Sequence, residues 1–475
     1  YLNDGDPAGG QDLGVTGLWL MPVAASPSYH GYDVTDYTTV NPDYGSNDEF
    51  RALVAELHRR GVRVIVDMVL NHTSDQHPWF LDSASGPEAE RREWYIWADE
   101  HPGYSGPQAQ TVWHEKDGAY YYGFFDSSMP DLNLQNPEVT AALYEVARFW
   151  IEEMDVDGFR LDAARHYVEE GRTLAHTEAT HAWLQEFYQY SLELEPEILT
   201  VAEVWDVSDV VATYAGTDVD LAFEFSLAKA ILLSVNEGGV TPLASALKEI
   251  QRLYPRGGYA TFLTNHDQNR VMDALGRDET KARLAATILL TLPGVPFLYY
   301  GEEIGMTGSK PDPQIRTPMQ WTAGPQAGFT SGTPWQPPNA GYEERNVEVL
   351  AADPASLLSH YRSLIALRQA HPALSSPDLT VVESAGRTVF SYLRTAGEEA
   401  VLVVVNLGIK EVDAFALTGR ESPLAAGRYT ARDLLTGAGV EPLVVGEGGA
   451  VESYQPVPVL PPHSALILEL EPAVP

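Results

Sequence analysis

The chain has 475 residues, of which 44% are hydrophobic, and a formal net charge of −37. So acidic a chain lacks the basic surface that nucleic acid or an anionic membrane requires, and we expect neither as a partner. Because the chain has no cysteine, disulfides, thiolate metal sites and cysteine nucleophiles are excluded. No apolar run reaches the length of about 18 residues that predicts a membrane span.

Apolar, strand-like runs alternate with amphipathic, helix-like segments over most of the chain. Seven strands are predicted, at VTGLWLMPV, VRVIVDMVLNH, VDGFRLD, EILTVAEVW, DLAFEF, YATFLTNHD and VPFLYYGEE. Helices are predicted at 47–60, with Asn47 as the cap, and at 137–153, 177–192, 241–253, 279–292 and 356–369. This alternation predicts an α/β fold, a (β/α)8 TIM barrel with a parallel sheet. Since a closed barrel needs eight strands, we expect the first strand to precede Tyr1 or another segment to fill its place.

Two segments depart from this alternation. The polar and aromatic stretch 73–135 has no clear period and predicts a small inserted domain, which divides the barrel into residues 1–72 and 136–375. From 376 to 475 the strands become short and alternating, as in TVFSYLR and AVLVVVNL, which predicts a C-terminal antiparallel β-sandwich. Its aromatic residues show no spacing typical of a starch-binding platform, so we expect core packing for Phe390, Tyr392, Tyr429 and Tyr454.

The run DGFRLDAARH places Arg160 and Asp162 two residues apart on a predicted strand. Period-2 alternation puts the two side chains on one face, where a guanidinium is expected to lower the pKa of the carboxyl and keep it ionised. An ionised carboxylate suits a nucleophile. A structural salt bridge is the other interpretation of this pair taken alone.

Four polar clusters follow predicted parallel strands and are expected to meet at one end of the barrel. They are Asn71-His72, Arg160-Asp162, Glu203 and His266-Asp267. That end of an α/β barrel carries the active site. Three carboxyl groups there favour glycoside hydrolysis, in which Glu203, between an apolar run and Trp205, would be the acid with a raised pKa. Phosphoryl transfer is disfavoured because no glycine-rich phosphate loop is present.

The motifs resemble those of the alpha-amylase family, glycoside hydrolase family 13. The resemblance rests on DMVLNH at 67–72, GFRLDAARH at 158–166, AEVW at 202–205 and FLTNHD at 262–267, in the order of the family. Three further segments are similar to the family, MPDLN at 129–133, GVPFLYYGEEIGM at 294–306 and RTPMQW at 316–321. The MPDLN segment resembles the intermediate group of alpha-amylases.

The resemblance implies a role for each matching residue. Asp162 would be the nucleophile, Glu203 the general acid and base, and Asp267 the carboxylate that grips the sugar hydroxyls. Arg160 would orient the nucleophile. The implied substrate contacts are Tyr32 as the stacking platform, and His72, His266, His30 and Arg165. Independently of the resemblance, carboxyls about 5 Å apart would imply retention of the anomeric configuration.

The substrate is expected to be an α-1,4-linked glucan such as starch, cleaved internally by an alpha-amylase. The loop YHGY at 29–32 resembles endo-acting members, because exo-acting relatives usually carry an Asp at the position of Tyr29. Ala163 after the nucleophile likewise resembles α-1,4-specific members. The alternatives are an exo-acting alpha-glucosidase, a trehalose synthase-like enzyme, and a non-catalytic interaction module, which would be expected to lose a catalytic carboxylate.

A calcium ion is a further expectation from the resemblance. Asn71 and the main-chain carbonyl of His166 match positions that ligate Ca²⁺ where the inserted domain meets the barrel, and hard oxygen ligands suit that ion. We also expect a monomer that works outside the bacterial cell or at its surface.

Overall fold

The structure, a computed structural model, describes residues 1–6, 10, 12–254 and 257–473. Residues 7–9, 11, 255–256 and 474–475, which fall within the predicted ranges 1–72, 136–375 and 376–475, lie outside the described residues. Within the described ranges, no helix combines the length and the apolar character that crossing a bilayer requires.

The seven predicted strands of the alternation form one parallel sheet, in which sheet order follows chain order. Their bounds are Gly17–Leu20, Arg63–Met68, Gly158–Leu161, Leu199–Ala202, Leu221–Phe223, Tyr259–Thr261 and Val295–Pro296. Among the described residues no eighth strand joins the first of these to the seventh. Side chains such as Ile65, Val201 and Phe223 fill the concave side of the sheet, and the helices pack on its outer side. The sequence therefore folds as a (β/α)8-type barrel, with every strand shorter than its apolar run.

The last predicted strand is wrong beyond its first residues. Only Val295–Pro296 pairs with the neighbouring strand, and the chain then turns, with Glu302 N–H donating to Tyr299 and Met306 N–H to Gly301. Glu302 and Glu303 are buried inside this turn, where Tyr361 donates a 3.1 Å hydrogen bond to Glu302. The apolar residues before this turn stay partly exposed, with Val295 at 43% and Tyr300 at 39%, so the predicted strand ends after Pro296.

Helices separate the strands as the alternation predicts. The helices of five residues or more are Asn47–Arg59, Pro78–Ser83, Pro137–Arg148, Glu178–Leu194, Phe225–Glu237, Thr241–Leu253, Glu279–Thr291, Val347–Ala351 and Leu357–Ala370, and Phe149–Glu153 is a π-helical turn. Shorter helical turns lie at Ser208–Val211, Val271–Ala274, Asp312–Ile315 and Pro372–Ser375.

The predicted cap of the first helix is wrong by one residue. Ser46 is the N-cap, because its side chain accepts from the Glu49 N–H while the Glu49 side chain accepts from the Ser46 N–H. This reciprocal pair is a capping box. Asn47 instead accepts a 2.8 Å hydrogen bond from the N–H of Val40. It thereby ties the helix to the short strand Asp36–Val40, which pairs with Ala24–Ala25.

The inserted segment is more regular than its sequence suggests. It contains a three-stranded antiparallel sheet of Trp97–Ala98, Trp113–Lys116 and Ala119–Tyr122. An isolated bridge between His72 and Asp131 joins it to the chain just after the second barrel strand, and a second bridge, between Tyr95 and Leu132, lies within the insertion. The insertion is thereby held beside the mouth of the barrel.

The C-terminal region is antiparallel, as predicted. Its eight strands are Leu379–Ser384, Val389–Ala396, Glu399–Asn406, Leu417–Gly419, Gly427–Asp433, Gly439–Val445, Val451–Tyr454 and Ser464–Pro472, hydrogen-bonded into one sheet. The aromatic side chains expected in its core are buried, at 4%, 0%, 6% and 5% exposure for Phe390, Tyr392, Tyr429 and Tyr454.

Candidate active site

One guanidinium lies at the centre of the carboxyl ends of the barrel strands. Arg160 Nη1 contacts Asp67 Oδ1 at 2.8 Å and Asp162 Oδ1 at 2.5 Å, and its Nη2 contacts Glu203 Oε2 at 2.9 Å. The Arg160 side chain is 1% exposed. A single positive charge therefore serves three carboxyl groups in a site where water screens little of their interaction.

Strand register explains why these groups meet. Asp67 and Arg160 are direct partners in the parallel pairing of their strands, and Arg160 is in turn the partner of Val201. Since Ile65 and Val201 fill the concave side of the sheet, period-2 alternation directs Asp67 and Arg160 to that side as well. Asp162 and Glu203 follow the ends of their strands and reach the same point.

Burial raises the pKa values of Asp162 and Glu203, two of the three carboxyl groups that contact Arg160. Burial raises the pKa of Asp162 above its ordinary value, although the charge and hydrogen bond of Arg160 oppose the rise. The expectation that Arg160 lowers this pKa is therefore wrong in its net direction, because desolvation outweighs one shared cation. Burial also raises the pKa of Glu203, and the charge of Asp162 adds to the rise. That direction agrees with the sequence prediction for an acid.

The backbone between the two carboxyls is held in an uncommon conformation. Ala163 has a φ of +49°, in the left-handed region that non-glycine residues adopt at a cost. Its N–H donates a 3.2 Å hydrogen bond to Glu203 Oε2. The turn after Asp162 thus fixes the position of Glu203 relative to it.

Asp267 occupies the other side of the site and stays ionised. His266 Nε2 lies 3.1 Å from its Oδ2, and Arg316 Nη2 lies 2.8 Å from its Oδ1. Burial alone raises the pKa of Asp267, but the hydrogen bond from His266 and the charges of Arg316 and Arg160 outweigh it and hold the pKa below its usual range. The three carboxyls are thereby divided into two with raised pKa values and one with a lowered pKa.

Tyr32 and His266 form the floor between these groups. Their rings stack at 5.8 Å and 15°, and the Tyr32 hydroxyl lies 2.8 Å from His266 Nε2 and donates to Asp67 at 3.0 Å. His72 Nε2 donates to the Tyr32 carbonyl at 3.1 Å, and burial lowers the pKa of His72 to about 4. His72 is therefore a neutral donor that positions Tyr32.

Four other predicted site residues lie around this centre rather than in it. His30 stacks on Tyr32 at 6.1 Å. Arg165 donates to the Trp205 carbonyl at 2.5 Å. The His166 imidazole donates to the Leu174 carbonyl at 2.6 Å and accepts from Arg165 at 3.0 Å, and burial lowers its pKa to about 3. Asn71 Nδ2 donates a 2.9 Å hydrogen bond to Asp131 Oδ2, at the junction with the insertion.

Sequence reasoning missed two residues that complete the site. No role was predicted for Asp67 of the DMVLNH motif, although its spacing of two from Ile65 predicts an inward direction. Arg316 belongs to the RTPMQW segment, and no pattern in that segment shows that its guanidinium reaches Asp267. Arg316 also donates through Nε to the His266 carbonyl at 2.9 Å.

Replacing Arg160 with Gln is expected to destabilise the protein by about 3–5 kcal/mol, because breaking a buried ion pair leaves uncompensated charges. Burial already raises the pKa of Asp67 to about 7, so without the cation the folded protein must bind more protons than the unfolded chain. The loss in free energy of unfolding, relative to the wild type, should therefore grow as pH rises through this pKa and shrink as pH falls. Urea unfolding at pH 5 and pH 8 measures both effects.

Arg63→Gln is the matched control for this measurement, because the Arg63 side chain is 67% exposed in its ion pair with Asp157. An exposed pair contributes about 0–1 kcal/mol, so the free energy of unfolding of this variant should differ little from that of the wild type. A loss of similar size in both variants, or a deficit in Arg160→Gln that does not depend on pH, would contradict the central role of Arg160.

The arrangement can carry out acid-assisted nucleophilic substitution. Asp162 and Glu203 offer a carboxylate and a carboxylic acid on neighbouring atoms of one guanidinium, and both side chains keep some exposure, 11% and 14%. Asp267 and His266 offer an anion and a ring nitrogen on the opposite side. A paired nucleophile and acid of this kind is what glycoside hydrolysis requires.

Comparison with known proteins agrees with this chemistry. Residues 11–377 match the family described as alpha amylase, catalytic domain. The chain is 38% identical over 404 residues to alpha-amylase 3 of Dictyoglomus thermophilum, covering 84% of this chain and 78% of that protein. It is 32% identical over 460 residues to a probable alpha-glucosidase of Rhizobium meliloti, covering 83% of this chain and 82% of that protein.

A solved structure shows the same fold over almost the whole chain. The crystal structure of alpha-amylase from H. orenii superposes with a TM-score of 0.85 at 37% sequence identity, covering 99% of this chain and 93% of that one. A match of this extent to the catalytic domain, with the fold and the three carboxyls described above, places the chain in the alpha-amylase family of glycoside hydrolases.

Proposed function

We propose that the protein is a retaining alpha-amylase that cleaves internal α-1,4-glucosidic bonds of starch and related glucans. The observation that carries the proposal is the shared guanidinium of Arg160, which contacts Asp162 and Glu203 through its two terminal nitrogens at 2.5 and 2.9 Å. Carboxyls held this closely favour the separation of about 5 Å typical of retaining enzymes over the wider gap of inverting ones.

Asp162 and Glu203 divide the reaction between them. Asp162 attacks the anomeric carbon while Glu203 protonates the leaving oxygen, which gives a glycosyl ester of Asp162. Because the charge of Asp162 helps to raise the pKa of Glu203, forming the ester removes that charge and lowers the pKa of Glu203. Glu203 is then a better base for the water that hydrolyses the ester. Asp267, held ionised by His266 and Arg316, accepts hydrogen bonds from the sugar hydroxyls.

The residue at position 29 supports internal cleavage. Tyr29 stands where a carboxylate would close an exo-acting pocket, and its side chain is 47% exposed. Ala163 keeps the residue after the nucleophile small. An exo-acting alpha-glucosidase is the second candidate, favoured by the similarity to the probable alpha-glucosidase of Rhizobium meliloti; a trehalose synthase-like activity would use the same site.

A product time course on soluble starch and on maltose separates these functions. Early loss of iodine colour, with a spread of oligosaccharides, is expected for the endo-acting enzyme. Glucose or trehalose formed from maltose, with little early loss of iodine colour, would contradict internal cleavage and support the second candidate. The predicted monomeric state and extracellular location stay predictions.

We also propose that Ca²⁺ binds where the insertion meets the barrel. The side chains of Asp131 and Glu169 are buried there, and burial raises their pKa values to about 7 and about 9. Glu169 Oε1 makes no hydrogen bond of normal geometry to the described residues. Among those residues no three His, Cys, Asp or Glu side chains are grouped to hold a metal, so other oxygens must contribute. The fitting set is Asp131 and Glu169 with the Asn71 amide oxygen, after rotation of that amide, and the His166 carbonyl.

Removing calcium is expected to lower the melting temperature, since an ion that binds only the folded state stabilises by about 2.7 kcal/mol at a hundredfold excess over its Kd. Differential scanning calorimetry with Ca²⁺ and with EGTA measures the shift. Asp131→Asn should remove the response, whereas Asp126→Asn, an exposed carboxylate of the same segment, should keep it. Equal melting temperatures of the wild type in both buffers would contradict the site.

A further inference from the structure

A row of aromatic rings leads from the reaction centre to the protein surface. His266 stacks with Tyr32 at 5.8 Å, Tyr32 with His30 at 6.1 Å, and His30 meets Tyr29 edge-on at 5.2 Å. The row ends where Tyr29 stacks on Trp335 at 4.8 Å and 22°. Trp335 comes from the long segment after the last barrel strand, so two distant parts of the chain build this wall together.

Arg316 ties the outer end of the row to the catalytic centre by a second route. Trp335 Nε1 donates to the Arg316 carbonyl at 3.2 Å, and the Arg316 guanidinium lies 5.8 Å from the centre of the Tyr29 ring. The same guanidinium contacts Asp267 at 2.8 Å. The pair Tyr29–Trp335 therefore has a fixed position relative to Asp267.

The pair keeps large apolar faces in water. Trp335 is 44% exposed and Tyr29 47% exposed, although aromatic rings gain free energy when they are buried. Each ring can contact the other with one face, and the remaining surface is free for a ligand. A flat apolar face with polar neighbours suits the C–H face of a sugar ring, whose hydroxyls point outward to water and to side chains such as Arg316.

The chemistry of the reaction defines which sugar lies there. Glu203 protonates the leaving oxygen, so the leaving part of the glucan extends past Glu203 and Trp205. The reacting sugar lies against Tyr32, His266 and Asp267, and the rest of its chain must continue away from Glu203. Arg316 and the aromatic row extend from Asp267, on that second side.

We propose that Tyr29 and Trp335 form a stacking platform for a glucosyl residue beyond the reacting sugar on its non-reducing side. The inference rests on the proposed function and names its substrate more closely. The enzyme gains binding from that residue, and it therefore prefers glucans that extend at least one residue past the reacting sugar on this side.

The test compares Trp335→Ala with the wild type on aryl α-glycosides whose glycone grows from glucose to maltotetraose. The reference is the α-glucoside, whose glycone is the reacting sugar alone and does not reach the platform. In the variant, kcat/KM for the longer members should fall about tenfold relative to that reference, chiefly through KM, and Trp335→Phe should restore most of it. Phe329→Ala, on the same segment and 47% exposed in the wild type, is the matched control and should leave the length dependence unchanged.

Three results in the Trp335→Ala variant would overturn the platform. An equal loss for all glycone lengths would show a merely structural role, and a gain for the longer members would show that the pair blocks the cleft. No change would overturn it as well. If the wild type cleaves none of these α-glycosides, the proposed function itself is wrong, which is a different result from cleavage without dependence on Trp335.

Discussion

Replacing Asp162 with Asn is expected to lower kcat on starch by at least about 10⁴-fold, the scale on which the loss of a nucleophile acts. The amide cannot form the glycosyl ester. The same substitution should not weaken the fold, because burial raises the pKa of Asp162 and thus disfavours its charge. Arg160 keeps its contacts with Asp67 and Glu203. We therefore expect unchanged or slightly higher stability in urea together with lost activity.

Asp206→Asn provides the control for Asp162→Asn. Asp206 directly follows Trp205 in the loop after Glu203, and its partly exposed carboxylate lies 3.1 Å from His176 Nε2 rather than against Arg160. This variant should keep most of the activity. Residual hydrolysis above about 1% in Asp162→Asn would show that another group is the nucleophile, provided that contaminating wild-type enzyme is excluded by active-site titration.

Replacing Glu203 with Gln is expected to lower kcat/KM on starch by about 10³-fold, in the range of general acid catalysis. With an α-glucosyl fluoride, whose leaving group needs no protonation, the same substitution should slow formation of the glycosyl ester far less. Azide should then capture the glycosyl ester and give an α-glycosyl azide, because no base is needed. Product analysis by NMR measures this rescue.

The pH profile gives an independent readout of Glu203. Its pKa is raised by burial and by Asp162, so the acid form persists above the usual range and activity falls as pH rises through that value. On the other side, activity falls as pH drops through the pKa of Asp162, itself raised by burial. Glu203→Gln should lose only the basic limb. A basic limb that survives the substitution would contradict Glu203 as the acid.

The strands and the central contacts could be predicted because they depend on local patterns. Period-2 alternation gave the common direction of Arg160 and Asp162, and the parallel strands brought Glu203 to the same point. The direction in which the pKa of Asp162 shifts could not be predicted in this way, since the sequence shows the neighbouring charge of Arg160 but not the burial of Asp162. Desolvation and the sharing of Arg160 among three carboxyls become visible only in three dimensions.

Contacts between distant loops were beyond the sequence patterns. Arg316 reaches Asp267 across 49 positions, and Trp335 reaches Tyr29 from a segment that has no period. The predicted extent of the last strand was wrong for a related reason, because an apolar run does not show which of its residues pair with a neighbouring strand and which form a turn. The prediction of the helix cap was wrong for a local reason. Ser46 and Asn47 are both good caps, but only Ser46 has a Glu, Glu49, three residues later.

The anomeric configuration of the first product tests the central claim most directly. Proton NMR can follow the hydrolysis of a maltooligosaccharide before mutarotation mixes the anomers. Two displacements at one carbon, first by Asp162 and then by water, predict that the α-anomer appears first. A β-anomer as the first product would contradict the ester at Asp162 and would require a water molecule, held between more widely spaced carboxyls, to attack directly.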